Sequence, residues 1–474
     1  MTSLLTPDIC VIGAGSAGLS VAAGAAQLGA ETVLIEAHKM GGDCLNYGCV
    51  PSKALLAAAH AAAAARGADR LGIRVGEPAV DFRAVHDHVR SVIAAIAPQD
   101  SEERFAGLGV RVLRAQARFT GPRELAAGDW AVRARRFVIA TGSRPLLPPI
   151  PGLERVPLLT NETVFDLTER PRHLLVLGGG PIGCELAQAF RRLGATATIV
   201  EMATLLPQDD PELVEVVRRQ LRADGVALHE RTRVVGVEPD GDGVALLTEG
   251  AGAPARLAGS HLLVAAGRRA NVADLDLAAA GIAHSGDAIA LDARLRTSNR
   301  RVYAIGDAAG GLQFTHLAGY HAGIVIRNAL FRWPARVDQR ALPWVTYTAP
   351  ELAQVGVSEA AARAAGRAVQ VLRWPFAEND RAQTGRATDG LVKAIVTPRG
   401  RILGAAIVGA EAGELIQPWV LAIANRLKIS TLATMIVPYP TRGEAGKRAA
   451  GSFYAPKLFS RRTRALVRVL RWFG

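Results

Sequence analysis

A strand, a glycine-rich turn, a helix and a second strand closing on an acid occur twice in this chain, and that repetition restricts the fold more than any other feature. In PDICVIGAGSAGLSVAAGAAQLGAETVLIEA, Gly13, Gly15 and Gly18 fit G-x-G-x-x-G, and Glu36 stands twenty-three positions beyond Gly13. HLLVLGGGPIGCELAQAFRRLGATATIVE repeats the pattern with Gly178, Gly180, Gly183 and Glu201, again twenty-three apart. The glycines permit a tight turn and close approach of a pyrophosphate to a helix N-terminus, while the acid accepts hydrogen bonds from ribose hydroxyls. A glycine turn without a ligand competes as an explanation for one such loop. Two loops, each with its strand, helix and acid, imply a flavin and a nicotinamide nucleotide with hydride passing between them. An α/β fold with two Rossmann-like nucleotide-binding domains is expected. Glu201 accepts from a ribose diol and repels a 2'-phosphate, and Met202 and Ala203 offer no arginine to reverse that, so NADH is favoured over NADPH.

The chain's 474 residues, 49% of them hydrophobic, suffice for three or four domains' worth of core. No basic stretch followed by an apolar one opens the sequence, and the run Ala54 to Ala65 contains His60 and is too short to cross a bilayer. A cytoplasmic protein is expected. The net charge of +13 is spread along the chain with no aromatic-basic module, which argues against nucleic acid as a partner. Four cysteines, Cys10, Cys44, Cys49 and Cys184, are too few for a secreted disulfide framework. Within GGDCLNYGCVPSK, residues 41–53, Cys44 and Cys49 stand five apart, a spacing open to a metal site, a crosslink or a redox couple. A close pair in a reducing compartment favours chemistry. A zinc site needs two more ligands, and Cys10 and Cys184 sit in apolar nucleotide-fold positions that suit small core residues. No metal site is expected.

C-x4-C followed by V-P-S-K, placed just after the second strand of the first nucleotide unit, resembles the pyridine nucleotide-disulfide oxidoreductases, the family of dihydrolipoamide dehydrogenase, glutathione reductase and mercuric reductase. The resemblance runs from residue 7 to 455 and includes Ala140-Thr141-Gly142, Ala266-Gly267-Arg268, and VYAIGDAAG with Gly306 and Asp307. It implies FAD in the first unit and NAD(P)H in the second, with Thr141, Gly142, Gly267 and Arg268 among the cofactor contacts and Asp307 at the flavin ribityl or pyrophosphate. It also implies a C-terminal α+β dimerisation domain, hence a homodimer. The expected spans are 1–150 for FAD and the redox pair, 151–271 for NAD(P)H, 272–341 for a return to the FAD domain, 342–455 for the interface domain and 456–474 for a basic tail.

By the same resemblance, hydride from NADH reaches flavin N5 and electrons continue to a Cys44–Cys49 disulfide, with Cys49 on the flavin side and Cys44 exchanging with substrate. A thiol pair near a helix N-terminus has a lowered pKa and a usable thiolate. Lys53 and Glu185 look like the ion pair near flavin N5, where the lysine would stabilise negative charge on reduced flavin; an ordinary salt bridge is the alternative. His316 is expected at the start of a helix facing the flavin, with a metal-ligand role as its alternative.

The substrate end departs from the pattern. Dihydrolipoamide dehydrogenases and glutathione reductases carry a His-Pro there with a Glu four residues after the proline; VPYPTRGEAGKRAA puts Tyr439 in place of the histidine and keeps Pro440 and Glu444. A phenol with a pKa near 10 is only about one part in a thousand ionised at pH 7, a poor base but still a proton donor. This disfavours fast dihydrolipoamide oxidation and suits a reductase; packing at the dimer interface is the other reading of Tyr439. Mercuric reductases also carry a tyrosine here, and they share the absence of an aromatic lid at the position of Pro181. They further use a vicinal cysteine pair near the C-terminus, and often an N-terminal metal-binding domain, whereas this sequence has no cysteine after Cys184 and opens at the FAD strand. The expected function is therefore FAD-dependent reduction of a small or protein-bound disulfide by NADH, dihydrolipoamide dehydrogenase-like. The alternatives are a mercuric reductase-like metal-ion reductase and a membrane-associated flavin electron-transfer protein reducing a quinone or metal.

KLFSRRTRALVRVLRWFG, residues 457–474, lies outside the family pattern. At 100° per residue, Leu458, Phe459, Leu466, Val469, Leu470, Trp472 and Phe473 fall on one arc and Lys457, Arg461, Arg464, Arg468 and Arg471 on another, with Arg462 intruding on the apolar arc. A basic amphipathic helix of this kind suits peripheral contact with the inner face of an anionic membrane, or packing on the enzyme or a partner protein.

Overall fold

The structure is a computed structural model and describes residues 3–250 and 252–473. It divides into two compact units, one of Met1–Ala63, Pro78–Met202 and Thr232–Val337, the other of Ala64–Glu77, Ala203–Arg231 and Asp338–Gly474. Residues 203–231, inside the span read as the NAD(P)H domain, thus group with the C-terminal part of the chain.

In the first unit, β1 (Ile9–Ile12) leads through a glycine turn into α1 (Ser16–Gln27) and on to β2 (Thr32–Glu36). Two helices then carry the cysteines, α2 (Gly42–Asn46) and α3 (Cys49–Arg66). After β3 (Val110–Arg114) and β4 (Arg136–Ile139), the second nucleotide unit runs β5 (His173–Leu177), α4 (Pro181–Arg192), β6 (Thr196–Val200) and, later, β7 (His261–Val264). The chain returns to the first sheet with β8 (Val302–Ala304) and then forms α5 (Thr315–Ala329). The first sheet is ordered β8-β4-β1-β2-β3 and wholly parallel. In the second, β5 pairs in parallel with β6 on one side and β7 on the other.

Parallel strands covered on both faces read as unbroken apolar runs rather than alternations, and all four residues of β1 are buried. Its side chains alternate between two cores. Ile9 and Val11 pack with Leu19 and Val21 of α1 and Ala322 and Val325 of α5, whereas Cys10 and Ile12 pack with Phe119, Leu125 and Phe137. Cys10 is accordingly a core residue whose thiol burial pushes up. Cys184 is equally buried, its Sγ 3.4 Å from Gly179 O.

The second unit centres on an antiparallel sheet ordered β9 (Pro343–Thr346), β10 (Glu351–Gly356), β13 (Ile402–Gly409), β12 (Leu391–Val396), β11 (Gln370–Pro375). Its apolar core gathers Phe376, Trp419, Phe453 and three alanines, Ala445, Ala449 and Ala450, of α6 (Glu444–Ser452). The helix Pro211–Ala223 joins this unit through charge: the almost fully buried Lys393 Nζ lies 2.7 Å from Asp210 and 2.9 Å from each of Glu212 and Glu359. A buried ammonium needs such compensation.

The tail read as one helix is two. α7 (Ala455–Leu458) stops, and Ser460 caps α8 (Arg461–Leu470), its Oγ accepting from Thr463 N at 3.2 Å. A serine satisfying an orphan N–H starts a new helix, so the 100° phase does not carry from Leu458 and Phe459 into α8.

Candidate active site

The two glycine loops have the same internal geometry. Gly13 lies at φ +104°, where a Cβ would fall 2.4 Å from Ala140 O, and a Cβ on Gly18 would fall 1.8 Å from Gly13 O. Gly178 at φ +117° faces Ala265 O at 2.4 Å, and Gly183 faces Gly178 O at 2.0 Å. The middle glycines are different: a Cβ on Gly180 meets nothing within 4 Å, and one on Gly15 meets only Gly42 Cα at 3.8 Å. Protein packing demands the outer glycines, while the open space over the middle ones suits close approach of a ligand's phosphates. Each acid closes its own loop. Glu36 accepts from Ala14 N at 2.6 Å and His38 N at 2.6 Å, and Glu201 from Gly179 N at 2.7 Å. Next to the first loop, Gly142 has φ +69° and the buried Thr141 Oγ1 has no partner among the described residues. A buried hydroxyl left over is what a bound polar molecule satisfies, so these residues fit a dinucleotide.

Cys44 lies in α2 and Cys49 is the first residue of α3, both as free thiols hydrogen-bonded to each other. Their proton affinities diverge. The Cys44 hydrogen bond, helped by Thr315 and the Lys53 charge, outweighs burial and the Asp43 charge and holds the Cys49 thiol down to about 6, while its bond to Cys49 and burial push Cys44 up. Thr315 Oγ1, the first residue of α5, is 3.4 Å from Cys49 Sγ. One turn along α3, Lys53 Nζ is 2.8 Å from Glu185 Oε2 on α4, with the Glu185 side chain only 6% exposed. The fold thus brings a thiolate and a lysine of α3 together with a hydroxyl of α5 and a carboxylate of α4, helices that the sequence keeps far apart.

A second network runs beneath α2. Arg268 Nε donates to Ser143 Oγ at 2.7 Å, Ser143 Oγ donates to Asp307 Oδ2 at 2.5 Å, and Arg268 Nη2 lies 3.1 Å from Asp43 Oδ1. Asn161 Nδ2 donates to that same Asp43 oxygen at 3.0 Å and to Tyr47 O at 3.3 Å, so it grips the turn between the cysteines from both ends. Burial raises the Asp307 carboxyl above the usual range despite the Ser143 bond. Gly267 lies at φ +123° next to Arg268. His316 stacks on Phe314 at 5.3 Å in the first turn of α5. The buried imidazole on that helix is His321, whose Nδ1 accepts from Gly306 N at 3.3 Å and whose pKa burial lowers to about 4.

Asp43, Ser143, Asn161, Thr315 and His321 escape the sequence reading. Asp43 and Thr315 adjoin Cys44 and His316, a proximity that points to them; Asn161 and Ser143 reach their partners across more than a hundred residues and leave no local signal.

Tyr439 and Glu444 belong to the second unit. The Tyr439 hydroxyl donates to Asp380 Oδ2 at 2.9 Å, and its ring is 70% exposed. That bond, with the Asp380 and Glu444 charges, raises the phenol pKa and keeps it protonated. Glu444 opens α6 and pairs with Arg448 at 2.8 Å.

Residues 7–322 match the family model described as pyridine nucleotide-disulphide oxidoreductase, and residues 342–450 match that family's dimerisation domain. The chain is 37% identical over 455 residues to a mercuric reductase of Streptomyces lividans, covering 94% of this chain and 96% of that one. It is 36% identical over 461 residues to a dihydrolipoyl dehydrogenase of Thermus scotoductus, covering 95% and 98%. Among solved structures, the HOCl-induced flavoprotein disulfide reductase RclA from Escherichia coli superposes with a TM-score of 0.84 at 30% identity, covering 94% of this chain and 99% of that one.

Proposed function

The chain belongs to the pyridine nucleotide-disulphide oxidoreductases, FAD-dependent enzymes that act on sulfur groups with NAD(P) as partner, and we propose that it reduces a small or protein-bound disulfide with electrons from NADH. The single observation that carries this reading is the pair of free thiols on adjoining helices, with Thr315 Oγ1 3.4 Å from Cys49 Sγ and the Lys53–Glu185 ion pair one turn further along α3. Bound FAD supplies the two-electron relay between the nicotinamide and that pair.

The residues divide the remaining work. Gly13, Gly15, Gly18, Glu36, Thr141, Gly142 and Asp307, with Arg268 and Gly267 behind them, hold FAD; Gly178, Gly180, Gly183 and Glu201 hold NADH, and the Glu201 carboxylate disfavours a 2'-phosphate. Lys53, held by Glu185, keeps a cation beside Cys49 and stabilises negative charge gathering there. His316 and Thr315 open α5, whose N-terminal dipole adds to the same effect. In the reduced pair, the Cys44 proton passes to the neighbouring Cys49 thiolate, and the Cys44 thiolate so formed attacks the substrate disulfide to give a mixed disulfide and the first product thiolate. The Cys49 sulfur then displaces the second product thiolate from Cys44, its proton going to that thiolate. Tyr439, kept protonated by its bond to Asp380 and the Glu444 charge, is the side chain of the second unit suited to give the first departing thiolate its proton, which it regains from water. A homodimer built on the dimerisation domain goes with this assignment, as does peripheral membrane contact through residues 457–474. Among the described residues, no helix is long and apolar enough to cross a membrane.

The 37% identity to a mercuric reductase favours metal-ion reduction as the second reading. Against it stands the burial of Cys10 and Cys184, which leaves Cys44 and Cys49 as the accessible thiols among the described residues. Steady-state oxidation of NADH by the purified, FAD-loaded protein separates the two. Lipoamide as acceptor is expected to give turnover in the ordinary range of roughly 1 to 1,000 per second, faster with NADH than with NADPH. Turnover with Hg(II) and none with lipoamide would sustain the metal reading instead.

A further inference from the structure

We propose that α7, α8 and the residues just after them lie on an anionic phospholipid surface. This rests on reading residues 457–474 as a peripheral contact and is independent of which disulfide the enzyme reduces. None of the side chains of α8 is buried, and Leu466, Trp472 and Phe473 are 57%, 88% and 83% exposed. Within α8, Val469, Leu466 and Leu470 fall in an arc of about 100°, while Arg461, Arg464 and Arg468 lie on the opposite side. Arg462, on the apolar arc, carries a stem long enough to lay its methylenes along that face and its guanidinium in the headgroups. Trp472 and Phe473 follow the helix, and aromatic rings of this kind favour the boundary between headgroups and acyl chains.

Charge selects the occupant. No acid follows Glu444, whereas Lys457, Arg461, Arg462, Arg464, Arg468 and Arg471 do. A second copy of this segment would bring the same cations against them without an acidic side chain to pair. The family's dimerisation domain also ends at residue 450, before α7 begins. A surface of phosphates takes guanidiniums in paired hydrogen bonds and takes the apolar arc in its acyl layer.

The test is cosedimentation of the full-length, FAD-loaded protein with vesicles of phosphatidylcholine alone or mixed with phosphatidylglycerol. Binding to the mixed vesicles is expected to be on the order of 100-fold tighter than to the neutral ones, and to weaken with added salt. Arg461→Glu/Arg464→Glu/Arg468→Glu should abolish it, and Trp472→Ala/Phe473→Ala should weaken it about tenfold or more. NADH-driven lipoamide turnover should persist in both variants. Equal binding to neutral vesicles, or none to either, would overturn the proposal. So would wild-type-like vesicle binding in both variants, or a Trp472→Ala/Phe473→Ala protein that falls from dimer to monomer, since the apolar face then serves a second copy. Vesicle binding without lipoamide turnover counts against the disulfide assignment alone.

Discussion

Replacing Gly183 by alanine is expected to leave the protein loaded with FAD yet unable to take electrons from NADH. The added Cβ would stand 2.0 Å from Gly178 O and 3.1 Å from Gly178 C, atoms of a backbone turn that cannot give way as a side chain can. The turn must open, and with it goes the hydrogen bond from Gly179 N to Glu201 that closes the second loop. Gly18→Ala makes the same insult in the first loop, where the Cβ would stand 1.8 Å from Gly13 O. That variant is expected to lose FAD itself. Flavin absorbance after gel filtration reads the first property, and stopped-flow flavin reduction by NADH reads the second. Gly183→Ala should cut the rate of reduction by about 100-fold or more, the scale on which lost positioning shows in rates. An FAD-free Gly183→Ala protein, or one reduced at the wild-type rate, would contradict the assignment of the two nucleotides to the two loops.

Cys44→Ala is the other large effect. Cys44 keeps its proton while Cys49 gives its own up at about pH 6, so the two sulfurs are unequal before any substrate arrives. The sulfur that must bond to substrate is also the one whose loss leaves Cys49 next to Lys53 and Thr315 undisturbed in position. Lipoamide turnover should fall by about 1,000-fold or more, as expected when a nucleophile is removed, with flavin reduction by NADH retained. Persistence of lipoamide turnover in the variant would mean that electrons leave by a path other than the thiol pair, as a flavin electron-transfer protein would require.

Much of the framework was legible because it is local. A glycine that must adopt positive φ, an acid at the end of the next strand and two cysteines five residues apart are all set by neighbours in sequence, and the structure shows the two loops with the same internal bonds. Lys53 and Glu185 stand 132 residues apart and were paired only through the family resemblance. Asn161 had no such guide. Its contact with Asp43 and Tyr47 exists because the connection after β4 passes under α2, and periodicity says nothing about that. The break at Ser460 was missed for another reason. The serine with Thr463 three residues on is an N-cap signal, but an unbroken apolar period drawn through it outweighed the cap. The grouping of residues 203–231 with the C-terminal unit goes with contacts such as that of Lys393 to Asp210, a pair nearly two hundred residues apart that leaves no local signal.

The central claim is that electrons from NADH reach Cys44 and Cys49. Counting thiols measures it most directly: the air-oxidised, FAD-loaded protein is held without oxygen, with or without NADH, then unfolded in a maleimide and mapped by mass. Without NADH, only the two buried cysteines, Cys10 and Cys184, should be labelled. With NADH, Cys44 and Cys49 should be labelled as well. A flavin bleached by NADH while Cys44 and Cys49 stay unlabelled, or label equally in both samples, would contradict the account.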